Sequence, residues 1–329
     1  MPESLNLPLD ALRAAFGERL QVGASLADYT TAHAGGPADA LVIANSAAEL
    51  EQAAVSLWNL ETPFHILGYG SNVLISDTGV RGVVVINRAR SIVIQANLAA
   101  PTVWAESGAL IGTIARKVGL VGLSGFEWAA TVPGTLGGAI YGNAGAFGGD
   151  MQGNLLLAEI LHPTGKEIWP VERMQYQYRS SLLKREHLPA VILAAQLKLE
   201  ASNPQIVREK MSSMSARRRS SQPPGASIGS MFKNPPGDFA GRLIEAAGLK
   251  GKRIGDAEIS QIHANFFVNH GKASAADIGS LIYTARETVA QKFGVQLELE
   301  VELLGDWPAV LNTGSAEENH QGERHNHER

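Results

Sequence analysis

Apolar positions recur along this chain with two periods, and the secondary-structure elements follow the changes between them. Ser46-Ala47-Ala48-Glu49 reads as a capping box, and Leu50, Ala53, Ala54 and Leu57 follow at helical spacing. Phe64 to Leu67 and Val83 to Ile86 are apolar runs of strand length, so a strand–helix–strand unit spans roughly residues 38–87. A second region starts near Ile92. In it Leu110, Ile111, Ile114 and Val118 mark a helix ending at Gly119, and strands are expected at 155–161 and 191–199. Asn203-Pro204 supplies an N-cap and a first-turn proline for a helix that runs into Arg217-Arg218-Arg219. A domain boundary is placed just before that helix.

Further on, a helix is expected over 239–247, closed by Gly248, and a strand over 264–268. Ser274-x-x-Asp277 caps a helix with Ile278, Leu281, Ile282, Ala285 and Val289 on one face. Val295, Leu297, Leu299, Val301 and Leu303 then alternate with polar residues, the signature of a half-buried strand. These patterns divide the chain into a lead-in (1–20), a first domain (21–202, with halves of about 21–87 and 88–202), a second domain (203–306) and a tail (307–329). From Asn312 onward the tail is polar and poor in apolar residues, so disorder is expected there.

Composition narrows the chemistry. Among 329 residues, 45% are hydrophobic and 18% charged, the balance of a globular protein larger than one typical domain. A net charge of −4 argues against a broad nucleic-acid-binding face and leaves room for a local basic pocket. There is no cysteine, which removes disulfides, thiolate catalysis, iron–sulfur clusters and zinc–cysteine sites. Three of the nine histidines lie in the tail and read as solvated, and no metal site is expected. The first 17 residues lack a basic-then-apolar leader pattern, and no apolar run is long enough to span a membrane, so a cytoplasmic protein without a membrane partner is expected.

Glycine is the outlier at 35 residues, about 11% against a usual ~7%, and it is clustered. In Gly68-Tyr69-Gly70-Ser71-Asn72, directly after a strand, two glycines let backbone N–H groups turn inward as an anion nest, to which Ser71 and Asn72 add donors. This suits a pyrophosphate, although GxG alone is better read as a tight turn between strands. It lacks the third glycine of a dinucleotide fingerprint and is not a Walker loop. The second cluster runs Val132-Pro133-Gly134-Thr135-Leu136-Gly137-Gly138-Ala139 and on to Asp150, with seven glycines from Gly134 to Gly149. Interspersed Val132, Leu136, Ile140 and Phe147 are too apolar for a solvated linker, so a buried ligand-lining loop is expected.

Together the two glycine segments resemble the UDP-N-acetylenolpyruvoylglucosamine reductases. Tyr176-Gln177-Tyr178-Arg179, Gly229-Ser230-Met231-Phe232-Lys233-Asn234-Pro235 and Leu297-Glu298-Leu299-Glu300-Val301 extend the likeness, as do Ala240–Glu245 and His263–Phe266. The resemblance covers roughly residues 20–306, in the shorter subtype that lacks a tyrosine-bearing lid insertion. It implies an α+β protein: a two-subdomain FAD-binding fold of the vanillyl-alcohol oxidase type followed by an α+β substrate domain. It further implies a monomer that uses NADPH to reduce a dissociable FAD, which then reduces a UDP-sugar enolpyruvyl ether.

Residue by residue, the likeness assigns FAD contacts to Gly68, Tyr69, Gly70, Ser71, Asn72, Pro133, Gly134, Thr135, Gly137 and Gly138. It assigns catalysis to Arg179 as a fixed planar donor to a developing enolate, to Ser230 as proton donor with Lys233 as a candidate relay, and to Glu300 as the acid. Period alone does not choose Glu300, because Glu298, Glu300 and Glu302 share one strand face. Lys233 and Asn234 are expected at the substrate's phosphate or uridine side. Arg218, in the middle of a basic run, suits a diphosphate, though a solvated helix end is equally compatible. His33, ahead of Gly35-Gly36-Pro37, is a conceivable covalent flavin anchor, against which a dissociable FAD is expected. Two rival readings stay open: a sugar or hydroxy-acid oxidase on the same fold, and a flavin- or nucleotide-binding module without turnover.

Overall fold

A computed structural model describes residues 7–97 and 99–312. In chain order, the elements that position the site begin with α1 (Leu9–Phe16), β1 (Ala38–Ala44), α2 (Ala47–Asn59), β2 (Phe64–Leu67), β3 (Val73–Ile75) and β4 (Val80–Asn87). They continue with β5 (Ile92–Gln95), β6 (Thr102–Glu106), α3 (Ile111–Leu120), α4 (Leu136–Tyr141), β7 (Leu155–His162), β8 (Gly165–Pro170) and β9 (Val191–Lys198). The last are α5 (Pro204–Ser221), α6 (Ala240–Ala246), α7 (Ala275–Phe293) and β10 (Glu302–Leu304).

Capping chemistry starts the predicted helices where the pattern places them. Ser274 and Asp277 make a full reciprocal box on α7, with N–H to side-chain distances of 3.0 and 2.9 Å. On α2 the box is half made. Ser46 accepts the Glu49 N–H, but the Glu49 carboxylate takes the N–H of Asn45. The first helical N–H of α2 goes instead to Glu106, a buried carboxylate of β6 that also accepts from Ser91.

In the first lobe β1 and β2 both run parallel to β4, giving the order 21–22, β1, β4, β2. The second lobe is a fully antiparallel sheet, ordered β8, β7, β9, β6, β5. Helix α2 lies between them, and Leu50, Ala53, Ala54 and Leu57 share a buried cluster with Val83 and Val85 and with Leu161, Val191 and Leu193 of the second sheet. The C-terminal region packs α6 and α7 on the three short strands 253–254, 257–259 and 267–269. Its core takes in Ala32, Ala34 and Leu74 from the first lobe. Asp77 strengthens that junction by accepting the first two N–H groups of α7, at 2.9 and 2.8 Å.

Four details depart from the sequence pattern. Helix α5, expected to open the second domain, packs on α3 and on the 3-10 turn Glu127–Thr131. Gly119 makes that contact possible, since a Cβ there would press on Val207 and Met211 of α5. Residues 295–301, expected as strand, keep alternate burial (Leu297 and Val301 are buried) but have only one isolated bridge, Leu299 to Phe232. Regular pairing begins at Glu302, where β10 runs parallel to β3. The strand expected at 264–268 begins at Phe267, because His263–Phe266 closes a turn. Finally, chain order persists past residue 307. Trp307 packs on the C-terminal core, and Leu311 is buried with its carbonyl accepting from Arg286. The rest of the expected tail, 313–329, lies outside the described residues, as do residues 1–6 of the lead-in.

Candidate active site

A cavity of about 1100 Å³ runs between the two lobes and the C-terminal region. One wall is the connection from β2 to β3, Gly68–Asn72. Gly70 has φ +62°, and a Cβ there would overlap the Tyr29 carbonyl, so only glycine fits. The N–H groups of Tyr69, Gly70, Ser71 and Asn72 find no acceptor among the described residues. A row of unspent donors along a cavity wall is what an anionic ligand requires.

The second glycine segment is more ordered than the expected loop. Thr135 caps the short helix α4, and the N–H groups of Leu136 and Gly137 are spent on Ala109 and Ser107, both at 2.8 Å. Its glycines serve two purposes. At Gly149 a Cβ would overlap the Trp128 indole, which is a packing reason. At Gly138 a Cβ would meet nothing closer than the Thr135 hydroxyl at 3.6 Å, so the open side of this residue belongs to the cavity it lines. Pro133, Gly134, Thr135 and Gly137 line the same wall. Unspent N–H groups on one segment and missing side chains on the other fit a long, phosphate-bearing dinucleotide such as FAD.

Charged side chains form the opposite end. Arg179 sits in a tight turn closed by reciprocal Gln177–Ser180 hydrogen bonds, with φ +56°, an unusual conformation for a non-glycine residue. That backbone aims its guanidinium inward. Nη2 donates to the Gly145 carbonyl at 2.9 Å, and Nε lies 2.8 Å from Glu300 Oε1 without an aligned N–H, so charge and proximity hold the pair. Glu300 is positioned by backbone on both sides: its N–H donates to Met231, and its carbonyl accepts from the Asn72 amide.

The three glutamates that sequence period left equivalent differ in space. Glu298 is 60% exposed and pairs with Lys233 at 3.2 Å, whereas Glu302 is 42% exposed and pairs with Lys184. Only Glu300, 18% exposed, is withdrawn from solvent. Burial pushes its carboxyl above the usual range, although Arg179, Lys184 and Lys233 pull the other way.

Ser230 also lines the cavity, on a segment that reverses at Gly229 (φ +83°) and bridges to Phe266. Arg218 reaches the cavity from the last turn of α5, with its pKa lowered by burial and its guanidinium in no hydrogen bond or ion pair among the described residues. Lys233 stands beside Glu300 but outside the lining. Asn234 is also outside it, because its side chain accepts the first N–H of α6 at 3.1 Å. His33 does not line the cavity either. Among the lining residues that the sequence reading did not assign to the site are Tyr141, Lys184 and Glu302. Tyr141 lies inside the second glycine motif and Lys184 five residues after Arg179, so position was the only available signal.

Comparison with known proteins fixes the family. UDP-N-acetylenolpyruvoylglucosamine reductase of Chloroflexus aggregans is 42% identical over 282 residues, covering 84% of this chain and 94% of that protein. The chain belongs to the UDP-N-acetylenolpyruvoylglucosamine reductase family. The Bacillus subtilis reductase is 39% identical over 282 residues, covering 85% of this chain and 92% of its own length. The crystal structure of the Thermus caldophilus reductase superposes with a TM-score of 0.73 at 34% identity, covering 87% of this chain and 98% of that one. The family model for the reductase C-terminal domain matches residues 221–304, and that for an FAD binding domain matches residues 38–169. This reductase is therefore an FAD-binding oxidoreductase of peptidoglycan precursor synthesis, with an α+β fold in which a two-lobed FAD-binding part precedes a C-terminal region.

Proposed function

We propose that the chain catalyses NADPH-dependent, FAD-mediated reduction of UDP-N-acetylglucosamine enolpyruvate to UDP-N-acetylmuramate, as a cytoplasmic monomer with dissociable FAD. One observation carries this reading: Arg179, Ser230 and Glu300, from segments far apart in the chain, line the same cavity as both glycine-rich segments. When bound, FAD supplies hydride transfer from NADPH to the methylene carbon of the enolpyruvyl group. The chain's own residues do the rest. Arg179, fixed by its turn and by Gly145, receives the substrate carboxylate and stabilises negative charge as it develops there. Glu300, its carboxyl pushed above the usual range by burial, faces the same charge, and in its protonated form does not repel it. Ser230 delivers the proton to the neighbouring carbon, with Lys233, three residues on, as the candidate relay. Arg218, a partly desolvated cation whose guanidinium has no partner among the described residues, takes a phosphate of the substrate diphosphate.

The test separates the two half-reactions anaerobically. In Ser230→Ala, flavin reduction by NADPH should proceed at the wild-type rate, while reoxidation by the enolpyruvyl ether slows by roughly 10²–10⁴-fold. Equal loss in both half-reactions would remove Ser230 as proton donor, and reoxidation by oxygen alone would favour an oxidase.

A further inference from the structure

Beside Arg179 the cavity wall carries a second polar group of residues, Tyr141, Lys184 and Glu302. Tyr141 ends α4, and three hydrogen bonds stitch its neighbourhood to the Arg179 turn. The Ser181 hydroxyl donates to the Tyr141 carbonyl at 2.6 Å, the Asn143 amide to Gln177 at 3.1 Å, and Arg179 to Gly145 at 2.9 Å. The ring packs on the core of the second lobe, so the phenol has little freedom to turn away. Its hydroxyl makes no hydrogen bond among the described residues, and the nearby Glu302 carboxylate is committed to Lys184. Burial, with the Glu302 charge second, pushes the phenol up to about 12, so the group is a neutral donor at any physiological pH. A partly buried, unspent O–H that shares a cavity wall with Arg179 and Lys184 suits one kind of acceptor, an anionic oxygen brought in by a ligand.

We propose that Tyr141 is a further positioning residue for the substrate, its hydroxyl donating to the carboxylate that Arg179 receives. This rests on the reductase reading above. It makes Tyr141 a specificity determinant, because a site built around an O–H donor discriminates against a ligand that lacks the matching acceptor.

The experiment measures binding to the FAD-loaded protein by titration calorimetry, using UDP-N-acetylglucosamine enolpyruvate and, in parallel, UDP-N-acetylglucosamine, which lacks the carboxylate. Tyr141→Phe should weaken the first ligand by roughly 10- to 100-fold and leave the second unchanged, with FAD content and melting temperature as in wild type. Equal weakening of both ligands would make Tyr141 merely structural, and no weakening of either would overturn the proposal outright. Wild-type protein that binds neither sugar would sink the reductase reading and this inference with it. Normal wild-type binding with an unaltered Tyr141→Phe sinks the inference alone.

Discussion

Where the cavity passes Gly68–Asn72 and Pro133–Gly138 its wall is backbone; where it passes Arg179, Lys184, Glu300 and Glu302 its wall is charged side chains from separate segments. The first wall is shaped by what is missing, since each glycine either lets another part of the chain approach or leaves space open. The second is shaped by competition, since each carboxylate has a cation from a different segment, and at Glu300, the most buried, burial outweighs those cations and raises the pKa. The backbone wall fails by sterics and fails completely. The charged wall is adjustable, because altering one ion pair shifts the balance at its neighbours.

The harshest way to break the comparison is at Gly70. An alanine there must adopt φ +62° and overlap the Tyr29 carbonyl. Left-handed backbone costs about 1–2 kcal/mol and forced overpacking about 1–3 more, so Gly70→Ala should lose about 2–5 kcal/mol of stability. It should also lose most of its flavin, read as the flavin-to-protein absorbance ratio and the melting temperature. A variant that keeps both would mean that this turn does not shape the cradle.

The same contrast explains what could be read from the chain alone. The glycine wall was legible because close approach leaves a local mark: Gly68, Gly70, Gly134 and Gly138 are adjacent in sequence to the cavity-lining backbone they shape. Helices α2 and α7 were legible from their caps. The charged wall was legible only through resemblance, since nothing local distinguishes Glu300 from Glu298 or Glu302. Their difference in burial arises from β10 joining β3 and from residues 231–233 lying alongside 298–300, pairings made across long sequence separations. The packing of helix α5 and of the Trp307–Leu311 segment was not legible for the same reason. Their partners, α3 and α7, are chosen by tertiary packing at small residues, Gly119 and Gly279.

A milder experiment probes the adjustable wall through pH. Glu300 has its pKa raised on folding, so the stability it contributes is fully present below the ordinary carboxylate value of 4.5 and is lost as pH climbs through the raised one. Flavin reoxidation by substrate, which in our reading needs protonated Glu300, should fall along the same limb, while reduction by NADPH should not follow it. Lys184 is one of the cations holding this pKa down, so Lys184→Met should move the limb to higher pH. Glu300→Gln should abolish it. Rapid-mixing pH profiles of the two half-reactions decide the matter, and a limb unmoved by Lys184→Met would mean that Glu302 fully cancels the lysine charge.

The smallest expected effect is at Glu298, and its smallness is informative. Glu298 is mostly exposed, and its contact with Lys233 spans 3.2 Å at the cavity's outer side. Exposed pairs of this kind contribute about 0–1 kcal/mol, so Glu298→Gln should shift the melting temperature slightly and leave both half-reactions unchanged. Glu298 and Glu300 stand two residues apart on one extended segment with similar chemistry, and each faces a cation. If burial rather than sequence position separates them, neutralising one must be nearly silent while neutralising the other removes the pH limb. A tenfold slowing of reoxidation in Glu298→Gln would show that Lys233 needs its partner to stay beside Glu300. The charged wall would then extend one residue further out than burial alone indicates.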